Sequence, residues 1–134
     1  MTDTPATILV VDDEAHITRV VSLKLRNAGY TVLTAADGEE GLEAALQHTP
    51  DLIITDMQMP YLTGLEMARR LREHRATAGI PLIMLTARGF GLTPDDMAET
   101  NIKKMMSKPF GPRDLLRQVE VCLGGGEDEA AEAA

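Results

Sequence analysis

The sequence predicts one α/β domain: a parallel five-stranded sheet with helices on both faces, a three-layer sandwich. Three observations point there. Short apolar runs of strand length alternate five times with stretches of helical periodicity. Runs such as Ile8-Leu9-Val10-Val11 and Leu52-Ile53-Ile54 are apolar throughout, as strands buried on both sides require. The chain has 134 residues, enough for one domain and too few for two.

The first strand is predicted at about Thr7 to Val11, followed by a helix from Glu14 to Ala28 with Ile17, Val20, Val21 and Leu25 on or near one face. Gly29 is placed to end that helix in the left-handed region. A second strand follows at Tyr30 to Thr34. Asp37 can then cap a helix that runs to His48, with Leu42, Ala45 and Leu46 inward and Thr49-Pro50 closing it. The third strand is Leu52 to Thr55, and a loop from Met57 to Thr63 carries Pro60. Gly64 precedes a helix to Arg75, with Leu65, Ala68 and Leu71 inward. Pro81 to Leu85 is the fourth strand, and the glycine-flanked stretch Arg88 to Leu92 is a loop. Thr93-Pro94-Asp95-Asp96 combines a hydroxyl cap, a first-turn proline and acids at the positive helix end, so it starts a short helix that ends near Asn101. Ile102 to Met106 is the fifth strand, and Lys103-Lys104 mark it as a sheet edge. Pro112 opens a last helix to Leu123, with Leu115, Leu116, Val119 and Cys122 inward. The organisation is therefore an extension at 1–6, the domain at 7–123 and an acidic, alanine-rich tail at 124–134 that is expected to be disordered.

Composition excludes several classes. Hydrophobic residues make up 44% and charged residues 25%, the range of a soluble globular protein. No apolar run reaches the roughly 20 residues of a membrane span, and the first residues lack the pattern of a signal peptide, so a cytoplasmic location is expected. The single Cys122 excludes an internal disulfide and a multi-cysteine metal site. Half of the net charge of −8 lies in Glu127, Asp128, Glu129 and Glu132, and no basic face stands out, so direct nucleic-acid binding is not expected.

The chemistry gathers at strand ends. Asp12-Asp13 follow the first strand, Asp56 the third, Thr86 the fourth and Lys108 the fifth. In a parallel sheet these ends share one edge, where ligands bind near the topological switch point. Packed carboxylates raise one another's pKa and have little structural use on their own. They make sense where a divalent cation and a phosphoryl group meet. Taken singly, Asp12 and Asp13 read as helix caps, Asp56 as a loop acid, Lys108 as a solvated lysine and Thr86 as a strand-end hydroxyl bonded to backbone.

Four stretches, Val10-Val11-Asp12-Asp13-Glu14, Ile54-Thr55-Asp56-Met57, Leu85-Thr86-Ala87 and Ser107-Lys108-Pro109-Phe110, together resemble the receiver domain of bacterial two-component response regulators. The resemblance covers about residues 7 to 123. It implies a flavodoxin-like (βα)5 fold of strand order 2-1-3-4-5. It implies a signalling switch rather than an enzyme: Asp56 accepts a phosphoryl group from a phosphohistidine of a sensor histidine kinase or histidine phosphotransfer protein. It implies Mg²⁺ held by Asp13, Asp56 and the Gln58 backbone carbonyl, with Asp12 on a metal-bound water and Lys108 on the phosphoryl oxygens. Thr86 would report the phosphoryl group to the surface of the fourth helix, fifth strand and last helix, where a downstream protein binds a monomer or weak dimer.

The sequence departs from the family in one place. Most receivers carry an aromatic three residues before the lysine, and here that residue is Met105. Met105 can fill the gap as a flexible apolar side chain; alternatively Phe90 swings in its place. Gln58 and Arg88, two residues beyond Asp56 and Thr86, line the path of a hydrolytic water in this family, as the neighbouring Ala87 borders the switch. Long side chains at both predict slow self-dephosphorylation. His16 lies near the acidic pair, whereas His48 and His74 sit at helix ends among polar residues.

Three rivals fit less well. An aspartate-nucleophile phosphatase wants an acid two residues after the nucleophile, and Gln58 stands there. A flavodoxin-like cofactor binder wants an uncharged first loop, and Asp12-Asp13-Glu14 would repel a phosphate. An interaction module with a dead site has no reason to keep all five site residues.

Overall fold

The computed structural model describes residues 5–87 and 92–124. Ten elements alternate without exception: β1 (Thr7–Val11), α1 (Ala15–Asn27), β2 (Thr31–Ala35), α2 (Gly38–His48), β3 (Leu52–Asp56), α3 (Gly64–Arg72), β4 (Leu82–Thr86), α4 (Pro94–Ala98), β5 (Ile102–Ser107) and α5 (Pro112–Cys122). All pairings are parallel and the sheet order is β2-β1-β3-β4-β5.

Side-chain alternation along the strands divides the core in two. Leu9, Val11, Ile53, Leu82 and Met84 face one layer with Ala45, Met67, Ala68 and Leu71 of α2 and α3. Ile8, Val10, Leu52, Ile54, Ile83 and Leu85 face the other with Val21 and Leu25 of α1 and Leu115 and Val119 of α5. Every residue of β3 and β4 is buried, so the run of apolar residues expected of a doubly covered strand is what folds there. Each fully buried leucine, isoleucine or methionine contributes roughly 1.5–3 kcal/mol of transfer free energy.

Local chemistry sets the boundaries. Gly29 ends α1 with φ +101°. The Asp37 carboxylate accepts from the Glu40 N–H at the start of α2. Thr63 and Glu66 form a reciprocal capping box at the start of α3, and Thr93 and Asp96 form another at α4.

Several expected details shift. β2 and β4 each begin one residue later than the apolar run suggests: the Tyr30 N–H is held by the Leu25 carbonyl of α1, and Pro81 has no N–H to give a neighbouring strand. α3 stops at Arg72, not Arg75, because Thr77 donates to the Leu71 carbonyl and tightens the chain behind it. α4 stops at Ala98, not near Asn101, where the Thr100 hydroxyl donates to the Asp96 carbonyl. Val20 and Leu46 are exposed rather than inward: helical periodicity places them at the margin of the apolar stripe, beyond the reach of the sheet. The loop glycines and the tail from 125 onward lie outside the described residues, as do Arg88 and Phe90. No described helix is long and apolar enough to cross a membrane.

Candidate functional site

At the carboxyl edge, backbone hydrogen bonds join β1 to β2, β3 to β4 and β5 to β4 and continue the sheet one residue into the loops. The Asp12 N–H donates to the Ala35 carbonyl at 3.2 Å, the Met57 N–H to Leu85 at 2.9 Å and the Lys108 N–H to Thr86 at 2.8 Å. Each site residue thus sits on, or directly beside, a peptide fixed by the ladder. This is the rigid mounting that a constellation drawn from four chain segments needs.

One carboxylate oxygen from each of Asp12, Asp13 and Asp56 lies within 4.8 Å of the others. Asp12 and Asp56 are buried and Asp13 is exposed, so the cluster opens to solvent on the Asp13 side. Lys108 Nζ stands 2.9 Å from Asp56 Oδ1, 3.5 Å from Asp12 Oδ2 and 3.8 Å from Glu14 Oε1. Asp12 Oδ1 accepts from the Glu14 N–H at 2.9 Å, whereas the buried Oδ2 has no hydrogen bond and only the longer ion pair with Lys108 at 3.5 Å. A carboxylate oxygen left in that state costs free energy, and a cation or its water would satisfy it.

Burial pushes the Asp56 carboxyl above its ordinary range; the hydrogen bond and charge of Lys108 oppose that, and Asp13 adds to it. Burial likewise raises Asp12, against the Glu14 N–H and with the help of Asp56. For Lys108, burial works to lower the ammonium. The hydrogen bond with Asp56 and the charges of Asp12, Asp56 and Glu14 outweigh it, and the group is raised. One ammonium among three carboxylates leaves a net negative pocket, which a divalent cation suits: oxygen ligands, two or three of them carboxylates, with room for water. The Gln58 carbonyl accepts no hydrogen bond among the described residues, so it is available as a ligand, while its side chain is exposed.

Thr86 is buried, and its hydroxyl donates to the Ala87 carbonyl at 3.0 Å. Met105 is half-buried and packs against the core layer beneath α2 and α3. His16, His48 and His74 are exposed.

Three features of the site were not read from the sequence. Glu14 joins the acids around Lys108; its place beside Asp12-Asp13 was the available signal. Gly64 passes so close to the chain after β3 that a Cβ there would collide with the Asp56 carbonyl oxygen. Tyr61 has φ +70°, and the Leu62 N–H donates to the Pro60 carbonyl at 2.8 Å. That i to i+2 bond over a residue of positive φ is the strained form of γ-turn. Nothing in a Pro-Tyr-Leu stretch announces it.

The comparisons agree with this geometry. The family model described as response regulator receiver domain matches residues 8–120. The phosphate regulon transcriptional regulatory protein PhoB of Pseudomonas aeruginosa is 38% identical over 127 residues, which cover 92% of this chain and 56% of that protein. The chain thus spans about half the length of the curated relatives it matches. A putative response regulator from Chloroflexus aurantiacus superposes with a TM-score of 0.82 at 36% identity, covering 90% of this chain and 98% of that one. The receiver domain of a sensor histidine kinase from Pseudomonas aeruginosa PAO1, with magnesium coordinated in its active site cleft, superposes with a TM-score of 0.81 at 27% identity, covering 90% and 99%. With a five-stranded 2-1-3-4-5 sheet and an acid–lysine cluster at its carboxyl edge, this chain belongs to the response regulator receiver domain family.

Proposed function

We propose that the protein is a phosphorylation-dependent signalling switch in which Asp56 is the phosphoacceptor. An Asp56 carboxylate oxygen attacks the phosphorus of a phosphohistidine on a sensor histidine kinase or phosphotransfer protein. The O–P bond forms as the P–N bond breaks, and the imidazole leaves with a proton. Phosphoryl transfer of this kind asks for positioning and charge neutralisation more than for covalent chemistry. The observation that carries the proposal is the contact of Lys108 Nζ with Asp56 Oδ1 inside a cluster of three carboxylates.

Asp13, Asp56 and the Gln58 carbonyl would hold Mg²⁺, with Asp12 on a bound water through the oxygen that lacks a donor. The cation supplies neutralisation of charge on the phosphoryl oxygens. Lys108 supplies the second positive charge and would pass from the Asp56 carboxylate to a phosphoryl oxygen. Thr86 is positioned to exchange its bond to Ala87 for one to the phosphoryl group. Such a bond contributes about 1.5–3 kcal/mol, whereas inverting a 1:99 equilibrium takes roughly 5.5 kcal/mol. Lys108 and the cation must therefore share the work of driving the surface of α4, β5 and α5 into its second state, in which a downstream protein is bound. Met105 is the apolar residue that accommodates the Thr86 motion. Gln58, exposed beside Asp56, slows loss of the phosphoryl group by shielding it from water.

Treatment with phosphoramidate and Mg²⁺, followed by hydroxylamine, tests the chemistry. An acyl phosphate at Asp56 yields a hydroxamate on the peptide that contains it. A hydroxamate on any other peptide, or none at all, contradicts the assignment.

A further inference from the structure

At the far end of the sheet from Asp56, a groove of about 530 Å³ runs between the start of β5 and the end of α5. Lys103, Lys104, Gln118, Val121 and Cys122 line it, and among the described residues the two lysines are its only charged groups. In a regular strand two successive side chains point to opposite faces. Here the pairing of β4 with β5 slips between Leu82 and Ile83, so that Ile83 meets Lys104 and Lys103 is left unpaired. The irregularity lets both lysines stand exposed. Both are near enough to Cys122 to act on its thiol electrostatically. Neither has an ion-pair partner among the described residues.

We propose that this groove binds the acidic segment 125–134 of the same chain. Its occupant is argued from three facts. The charge in the groove is all positive, from Lys103 and Lys104, and the segment carries Glu127, Asp128, Glu129 and Glu132 with no lysine or arginine. Val121 and Cys122, which line the groove, lie three and two residues before Gly124, where φ +85° ends the helix, and the segment begins at the next residue. At about 3.3–3.6 Å per residue the backbone of Glu127 reaches about 10 Å from Gly124 and that of Glu132 about 28 Å, a span that matches a groove whose lining includes both the end of α5 and the two lysines. Tethering supplies the rest: a short linker gives an effective concentration on the order of millimolar, so a contact too weak for a free peptide suffices. Docked there, the segment covers the open start of the β5 edge and the adjoining face of α5, and any protein that uses this face must displace it.

The test uses the full chain and involves no phosphorylation. Cys122, half-buried in the groove, reports occupancy through its rate of alkylation by the neutral reagent iodoacetamide. The quadruple variant Glu127→Gln, Asp128→Asn, Glu129→Gln, Glu132→Gln should react about fivefold faster than the parent at low salt, the protection given by a docked form favoured by about 1 kcal/mol; the same four substitutions should leave the rate unchanged in a Lys103→Gln, Lys104→Gln background, where the lysines' own effect on the thiol is absent from both proteins. High salt should abolish the difference. Amide resonances of Lys103, Lys104 and Gln118 should move in the quadruple variant and stay independent of protein concentration. An unchanged rate and unchanged resonances in the quadruple variant would overturn the proposal, as would an equal acceleration in the Lys103→Gln, Lys104→Gln background, or protection that grows with protein concentration, which would place the segment on a second copy.

Discussion

Lys108 Nζ lies 2.9 Å from Asp56 Oδ1, so the cation that would later meet the phosphoryl group already holds the nucleophile in place. Lys108 is raised, so its contribution to stability is complete below the unfolded value and is lost only as pH rises through the folded one, well into the alkaline range. At neutral pH, Lys108→Met therefore removes the full interaction and leaves two buried carboxylates without a counter-charge. Urea unfolding in EDTA should show a loss of about 1.5–3 kcal/mol. A variant as stable as the parent would show that the contact is idle.

The carboxylates carry the opposite sign. Asp12 and Asp56 are raised chiefly by burial, so ionisation disfavours the folded state. That penalty is absent below the unfolded value of about 3.9 and grows as pH rises to the folded value. Asp12→Asn and Asp56→Asn should each melt at a higher temperature than the parent at pH 7.5 in EDTA, and the gain should shrink toward pH 4. A lower melting temperature at pH 7.5 would mean that Lys108 fully offsets the burial.

Mg²⁺ should reverse the same penalty in the parent. At a hundred times its dissociation constant a ligand that binds only the folded state adds about 2.7 kcal/mol. Thermal unfolding with and without Mg²⁺ measures it, and Asp13→Asn should lose most of the gain because Asp13 is the exposed member of the cluster. Equal stabilisation of parent and variant would exclude Asp13 as a ligand.

Much of this was legible in the sequence because strand and helix periods alternate cleanly and because Asp12, Asp56, Thr86 and Lys108 stand at the ends of the first, third, fourth and fifth strand-length runs. Continuous apolarity revealed β3 and β4 as doubly buried, and Thr93-Pro94 marked the start of α4 to the residue. What stayed hidden depends on tertiary proximity. The stop of α3 at Arg72 is made by Thr77 folding back on Leu71, and the exposure of Leu46 depends on how far α2 overhangs the sheet. The approach of Gly64 to Asp56 is set by a turn whose only visible cue was a glycine, read as a helix start.

That approach gives a fourth prediction. Adding a methyl at Gly64 drives it into the Asp56 carbonyl and toward Met84 Sδ. Gly64→Ala should cost about 1–3 kcal/mol in chemical denaturation, and the chain around Asp56 must move to relieve it. A neutral substitution would show that the loop yields freely.

Tyr61 gives a fifth, of opposite direction. Its side chain is 96% exposed and makes no packing contribution that offsets φ +70°. A positive φ costs a residue with a Cβ roughly 1–2 kcal/mol, part of which glycine returns through its freer unfolded chain. Tyr61→Gly should therefore gain about 0.5–1 kcal/mol in urea unfolding. A loss would show that the tyrosine ring holds the turn.

The most direct measurement is the intact mass of the protein and of Asp56→Asn after incubation with acetyl phosphate, with Mg²⁺ and with EDTA. The expected result is a gain of one phosphoryl group by the parent in Mg²⁺ alone, and none by Asp56→Asn. No gain by the parent, or an equal gain by Asp56→Asn, would contradict the assignment of Asp56 as the phosphoacceptor.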